Sequence, residues 1–118
     1  MVVAAAGLAV VCWLVYEWFQ YQKAQFQCIA LASAIDEGMP AMLRQEESDH
    51  EILDAERNIP EDGNVIIKRG GLPVDVWGSR FSVSVVFRPD GAQIILVRSA
   101  GLDRTMGTWD DIVWDRKR

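Results

Sequence analysis

The chain has 118 residues, a formal net charge of −5 and a pI near 4.7. This length allows one small domain. Its only basic cluster is formed by residues 116–118, so the acidic balance argues against binding to nucleic acid. The single histidine, His50, has no accompanying nucleophile motif, phosphate-binding loop or metal-ligand spacing. We therefore expect neither an enzyme nor a small-molecule substrate.

The N-terminal run of residues 1–16 contains no charged side chain, and aromatic residues crowd its downstream end. This arrangement is typical of a membrane span that meets its interface. The run reaches about 20 apolar residues only if Trp18 and Phe19 are included and Glu17 lies at the interface. The alternative is a cleaved signal peptide, but no basic segment precedes the run and bulky residues follow it. We expect a retained single-pass anchor.

An apolar stripe follows this run at spacings of three and four: Cys28, Leu31, Ile35, Met39 and Met42. The stripe predicts that the anchor continues into one long amphipathic helix. Pro40 lacks a backbone donor, so the helix should end or kink near Gly38. Residues 36–62 hold ten of the seventeen acidic residues. We interpret residues 38–63 as an acidic helix and loop linker with a solvated face.

From residue 64 the pattern changes to short β segments, at residues 65–67, 81–87 and 92–97. In the second segment Phe81, Val83 and Val85 alternate with polar residues, which predicts a sheet with one buried face. The Arg-Pro-Asp-Gly sequence at 88–91 predicts a hairpin turn. The fold class is therefore α+β, with the helix of residues 1–37 packed on a small antiparallel sheet within residues 64–118.

Two sequence motifs lie in this β region. In the first, Gly78 permits a tight turn, Trp77 offers a large apolar body, and Asp75 is expected to accept backbone N–H bonds within the turn. The second, residues 99–112, contains Asp103, Asp110 and Asp111.

These three carboxylates allow two interpretations. Calcium takes six to eight oxygen ligands, and a loop with one aspartate followed by an adjacent pair supplies this type of ligand. Without a cation, three carboxylates held together would repel one another. In the second interpretation the side chains point outwards and cap turns. The spacing does not match an EF-hand, so a site here would belong to another class.

Both motifs resemble those of the major pseudopilin of bacterial type II secretion systems. The C-terminal domain of that family carries a D-x-W-G-x-x-[YF] turn, matched here by residues 75–81, and an S-x-G-x-D…D-D-I loop, matched by residues 99–112. The resemblance covers about residues 65–114. It implies a pilin-like fold, with a transmembrane then amphipathic helix on the sheet. It also implies a calcium ion held by Asp103, Asp110 and Asp111, with loop carbonyls completing the shell.

The resemblance further implies where the protein acts. Family members sit in the inner membrane with a periplasmic C-terminal domain, and they assemble through their N-terminal helices, with copies of themselves or other pseudopilins, into a short filament that drives secretion. Their basic leader, with a glycine cut site followed by an aromatic residue and a glutamate, does not precede Val2. We expect either a start upstream of Met1 or a fold kept without leader processing.

One further difference lies in the loop, where Arg104 replaces the glycine that usually follows the loop aspartate.

The alternative function is a membrane-tethered calcium-binding interaction module that does not assemble into a filament.

Overall fold

A computed structural model describes residues 2–61, 65–108 and 111–118. This part of the chain is an α+β structure that measures 63 × 30 × 19 Å. Its elements, in chain order, are helix α1 (Val2–Gly38), a 3₁₀ turn (Gln45–Glu47), helix α2 (Ser48–Asn58) and strands β1 (Ile67–Arg69), β2 (Leu72–Val74), β3 (Ser82–Phe87), β4 (Gln93–Ser99) and β5 (Ile112–Lys117).

The apolar run and the amphipathic stripe form one continuous helix, α1, as predicted. It ends at Gly38, two residues before Pro40. A Cβ atom on Gly38 would lie 3.3 Å from the Cβ of Ala55, so the end of α1 packs closely on α2. The predicted helix end near Gly38 is confirmed.

The expected membrane anchor is wrong. Within the described residues no helix carries an apolar stretch long enough to cross a membrane. A span needs about 20 apolar residues. Polar side chains interrupt α1 at Glu17, Gln20, Gln22 and Lys23, before that length is reached. This finding corrects the expectation of a single-pass protein of the inner membrane.

The described strands form two antiparallel sheets: a hairpin of β1 and β2, and a sheet of three strands in the order β3-β4-β5. The hairpin between β3 and β4 is confirmed. Its turn is closed by the Gly91 N–H, which donates to the Arg88 carbonyl at 3.0 Å. Gly91 has φ 87°, a conformation that glycine adopts without strain. The sequence did not predict β2 or β5.

The core lies between the two helices and the three-stranded sheet. Helix α1 covers β4 and β5, while α2 covers β2 and β3. The buried cluster contains Leu31 and Ile35 of the stripe together with Ile95 and Val97 of β4. The predicted packing of the stripe on the sheet is therefore confirmed. The stripe ends early, however, because Met42 is 88% exposed.

The acidic segment is more than a solvated linker. Helix α2 buries Ile52, Ala55 and the charged residue Glu56, which is 6% exposed. Burial raises the pKa of Glu56, and the guanidinium of Arg80, 3.6 Å away, opposes this shift only in part. Of the other acidic residues of α2, Asp49 is exposed, and Glu51 and Asp54 are partly buried.

Candidate functional site

The two sequence motifs meet at Asp75. Its Oδ1 accepts the backbone N–H groups of Trp77, at 3.0 Å, and Ser79, at 2.9 Å. Its Oδ2 accepts the hydroxyl of Ser99 at 2.7 Å, and both side chains are buried. The expected role of Asp75 in the turn is confirmed. The bond to Ser99, which attaches the loop motif to the turn motif, was not predicted.

The turn is closed by its own backbone and is packed against α1. Gly78 donates its N–H to the Asp75 carbonyl at 2.9 Å and has φ 84°, as the turn requires. The Trp77 ring contacts the ring of Tyr21 edge to face, with centroids 5.1 Å apart. This geometry is favourable for aromatic pairs. Trp77 therefore joins the turn to the long helix.

The two cysteines lie in different surroundings. Cys28 is buried under the turn, and burial together with the charge of Asp75 raises its pKa to about 12. Its thiol therefore stays protonated at neutral pH and is an inert packing group. Cys12 is a free thiol on the exposed part of α1.

In the loop of residues 99–112, both described aspartates cap turns. The Oδ1 of Asp103 accepts the Thr105 N–H at 2.9 Å. The Oδ2 of Asp111 accepts the Gly107 N–H at 2.7 Å, and its Oδ1 accepts the Thr108 hydroxyl at 3.3 Å. The loop is thus held by its own carboxylates. The third predicted ligand, Asp110, lies outside the described residues.

These contacts test how well the loop fits a cation. The carboxylate oxygens are hard ligands of the type that calcium takes. Among the described residues, however, no three acidic, cysteine or histidine side chains come together in a way that would hold a metal. The two described carboxylates instead receive N–H and hydroxyl donors. Because Asp110 lies outside the described residues, the predicted set of three ligands is not tested, and calcium binding by Asp103, Asp110 and Asp111 stays a prediction.

Arg104 adopts φ 57°, the only non-glycine residue with a positive φ in the described chain. This is the position at which the pseudopilin family usually has glycine. The loop therefore keeps the left-handed turn that the glycine would favour, at a steric cost to an arginine.

The first half of α1 exposes an apolar surface. The following side chains are each 48–65% exposed: Leu8, Val10, Val11, Trp13, Leu14, Val15, Tyr16, Trp18 and Phe19. They follow one another with few gaps, so they surround the helix and do not form a single face. Farther along α1 the pattern changes, because Ala24, Cys28 and Leu31 are fully buried against the sheet.

Comparison of the chain with protein-family models, with curated proteins and with solved structures gives no match.

Proposed function

We propose that this chain is a pseudopilin-like structural subunit of a type II secretion system. In this proposal the chain has a pilin-like fold, and it assembles with copies of itself or with other pseudopilins through the first half of α1. One observation carries the proposal: between Leu8 and Phe19, α1 exposes large apolar side chains around the helix.

A helix that is apolar all round is normally buried. Fully burying one large apolar side chain contributes about 1.5–3 kcal/mol. Packing the first halves of several α1 helices side by side would remove much of this surface from water. Such a bundle leaves the sheet domains on its outside.

The second half of α1 supports the same function. Leu31 and Ile35 lie in the core, and Tyr21 contacts Trp77, so the sheet domain is attached directly to the helix. A helix of 37 residues is about 55 Å long at 1.5 Å per residue. Subunits that pack through its first half would therefore hold their sheet domains at a fixed distance from the bundle.

Within this proposal the loop of residues 99–112 binds calcium through Asp103, Asp110 and Asp111. Calcium binding is supported by the carboxylate oxygens of these aspartates, which are ligands of the type that calcium takes. The resemblance to pseudopilins suggested these three residues.

Cys12 provides a direct test of assembly through α1. Mild oxidation of the full chain should produce a covalent dimer, because Cys12 is exposed and Cys28 is buried with a raised pKa. The Cys12→Ser variant should give no dimer, and Cys28→Ser should behave as the wild type.

A charge variant shows whether the apolar surface is responsible. Val15→Lys places a charge one turn from Cys12 and should greatly reduce the dimer, since a buried unpaired charge is costly. Asn58→Lys, which adds the same charge at an exposed site on α2, should leave the dimer unchanged. Absence of a dimer in the wild type would contradict assembly and favour an interaction module that does not assemble. Equal dimer formation by Val15→Lys would exclude α1 as the contact.

A further inference from the structure

The two edge strands of the larger sheet differ in composition. The edge strand β5 includes Asp115, Arg116 and Lys117, and charged residues are a common protection against pairing with another chain. The opposite edge strand, β3, has the sequence Ser-Val-Ser-Val-Val-Phe, without a charge or a proline. Within the described ranges, no strand pairs with the outer side of β3. β3 is therefore an edge without charged residues or proline, flanked before its start by the isolated antiparallel bridge between Val74 and Arg80.

The alternation of hydrogen-bonded and non-bonded pairs in the β3–β4 hairpin shows which backbone groups of β3 point outwards. Arg88 donates its N–H to the Ala92 carbonyl at 2.9 Å, which defines a hydrogen-bonded pair beside the turn. Bonded and non-bonded pairs alternate along an antiparallel ladder, so the next pair, Phe87 and Gln93, is non-bonded. Consistent with this alternation, the Gln93 carbonyl points away from β3 and accepts the N–H of the residue that follows β5. The outward-facing residues are Val83, Val85 and Phe87.

A groove runs between this strand and α2. Its volume is about 470 Å³, and apolar side chains from three parts of the chain line it: Ile52, Leu53, Phe81, Val83 and Met106. Val83 is only half-buried, and Met106 is 38% exposed. The inner face of β3 is thus incompletely covered at its edge. A further strand at this edge would direct every second side chain into the groove.

The groove has an acidic wall. Asp49 is exposed, and Glu56, two turns farther along the same helix, is buried. Among the described residues, Arg80 is the one basic residue that lines the groove; it lies 3.6 Å from Glu56 and its side chain is 59% exposed. The described lining of the groove therefore includes two carboxylates and one guanidinium. This charge distribution favours a ligand with a basic side chain.

From these observations we propose that β3 binds an extended segment of a partner protein as a fourth strand. The segment pairs with the outward backbone groups of Val83, Val85 and Phe87. It places aliphatic side chains and one lysine or arginine in the groove, where the basic group meets Asp49 and Glu56. Strand addition of this kind obtains affinity from main-chain hydrogen bonds and specificity from alternate side chains. The surface is separate from α1 and does not depend on assembly through that helix.

A synthetic peptide tests the proposal with the full chain. The probe is a capped peptide of six residues with valine, lysine and valine on one face and threonine on the other. We expect saturable binding by fluorescence anisotropy. Replacing the lysine of the probe by glutamate should abolish binding. The Glu56→Gln variant should weaken binding about tenfold, as expected for the loss of one charge-assisted pair.

Two further measurements separate strand addition from other binding. Methylating alternate backbone nitrogens of the probe should abolish binding, because those N–H groups donate to β3. Amide exchange should slow at Val83, Val85 and Phe87 when the probe binds, and should change little at Ser84 and Val86. No binding of the probe would overturn the proposal. Equal affinity for the methylated peptide, or protection located elsewhere, would also overturn it.

Discussion

Arg118 and Asp36 form an ion pair in which the Nε of the arginine lies 2.7 Å from the Oδ1 of the aspartate. The Nε of Arg116 lies 3.0 Å from the other carboxylate oxygen. Arg118 also donates from Nη1 to the Gln93 side chain at 2.9 Å and from Nη2 to the Pro40 carbonyl at 2.7 Å. One arginine therefore joins the last turn of α1, the segment that follows it and strand β4.

This pair predicts a loss of stability at low pH. Burial alone would raise the pKa of Asp36, but the hydrogen bonds and charges of Arg118 and Arg116 outweigh it and lower the pKa. A lowered pKa in the folded state means that the pair stabilises the fold above the unfolded pKa. This contribution disappears as the pH falls through the folded pKa.

The variant Asp36→Asn tests this contribution. It should reduce the free energy of unfolding by about 1 kcal/mol at pH 7. The difference from the wild type should shrink as the pH falls below the unfolded pKa of about 3.9 and through the lowered folded pKa. Urea unfolding at a series of pH values measures it. A difference that stays constant with pH would show that the side chain acts by shape and not by charge.

Glu56 predicts the opposite pH dependence. Burial raises its pKa despite Arg80, so the ionised carboxylate destabilises the fold. The contribution of Glu56 to stability is greatest below its unfolded pKa and is lost as the pH rises through the folded pKa. Glu56→Gln should therefore raise the free energy of unfolding by about 1 kcal/mol at pH 7, with no gain below pH 4. A variant less stable than the wild type at pH 7 would indicate that the contact with Arg80 dominates.

The positive φ of Arg104 predicts a stabilising substitution. A left-handed conformation costs an L-residue about 1–2 kcal/mol, whereas glycine adds about 0.5–1 kcal/mol of unfolded-state entropy. Arg104→Gly should raise the free energy of unfolding by about 0.5 kcal/mol. Arg104→Ala is the matched control, since it removes the same side chain and keeps the strain. If the two variants have the same free energy of unfolding, the change comes from removing the arginine side chain and not from the positive φ of 57°.

Local sequence patterns predicted much of the fold. The end of α1 at Gly38 followed from a proline two residues later, and the hairpin between β3 and β4 followed from turn chemistry at 88–91. The alternation of β3 correctly placed Ser82 and Ser84 on the exposed face. In each of these cases the deciding residues are neighbours in the chain.

Interactions between distant residues were not predicted. The bond from Ser99 to Asp75 spans 24 residues, and that from Arg118 to Asp36 spans 82. No local periodicity indicates either pair. Strand β5 ends in three charged residues and so gives a weak strand pattern. The acidic composition of α2 did not indicate that one of its faces packs in the core.

Calcium binding by the loop can be tested by thermal unfolding of the full chain in calcium and in chelator. A ligand that binds only the folded state adds about 2.7 kcal/mol at a hundredfold excess over Kd. The predicted rise in Tm should be lost in Asp103→Ala, Asp110→Ala and Asp111→Ala. It should persist in Asp90→Ala, an exposed turn cap outside the loop. An unchanged Tm in calcium would leave the two described carboxylates as turn caps alone.

Sedimentation velocity of the full chain over a range of concentrations measures assembly through the first half of α1. We expect species larger than the 13.3 kDa monomer that grow with concentration. We also expect Val15→Lys to be monomeric and Asn58→Lys to assemble as the wild type does. A wild-type chain that stays monomeric at every concentration, or a Val15→Lys variant that assembles as the wild type does, would contradict this assembly.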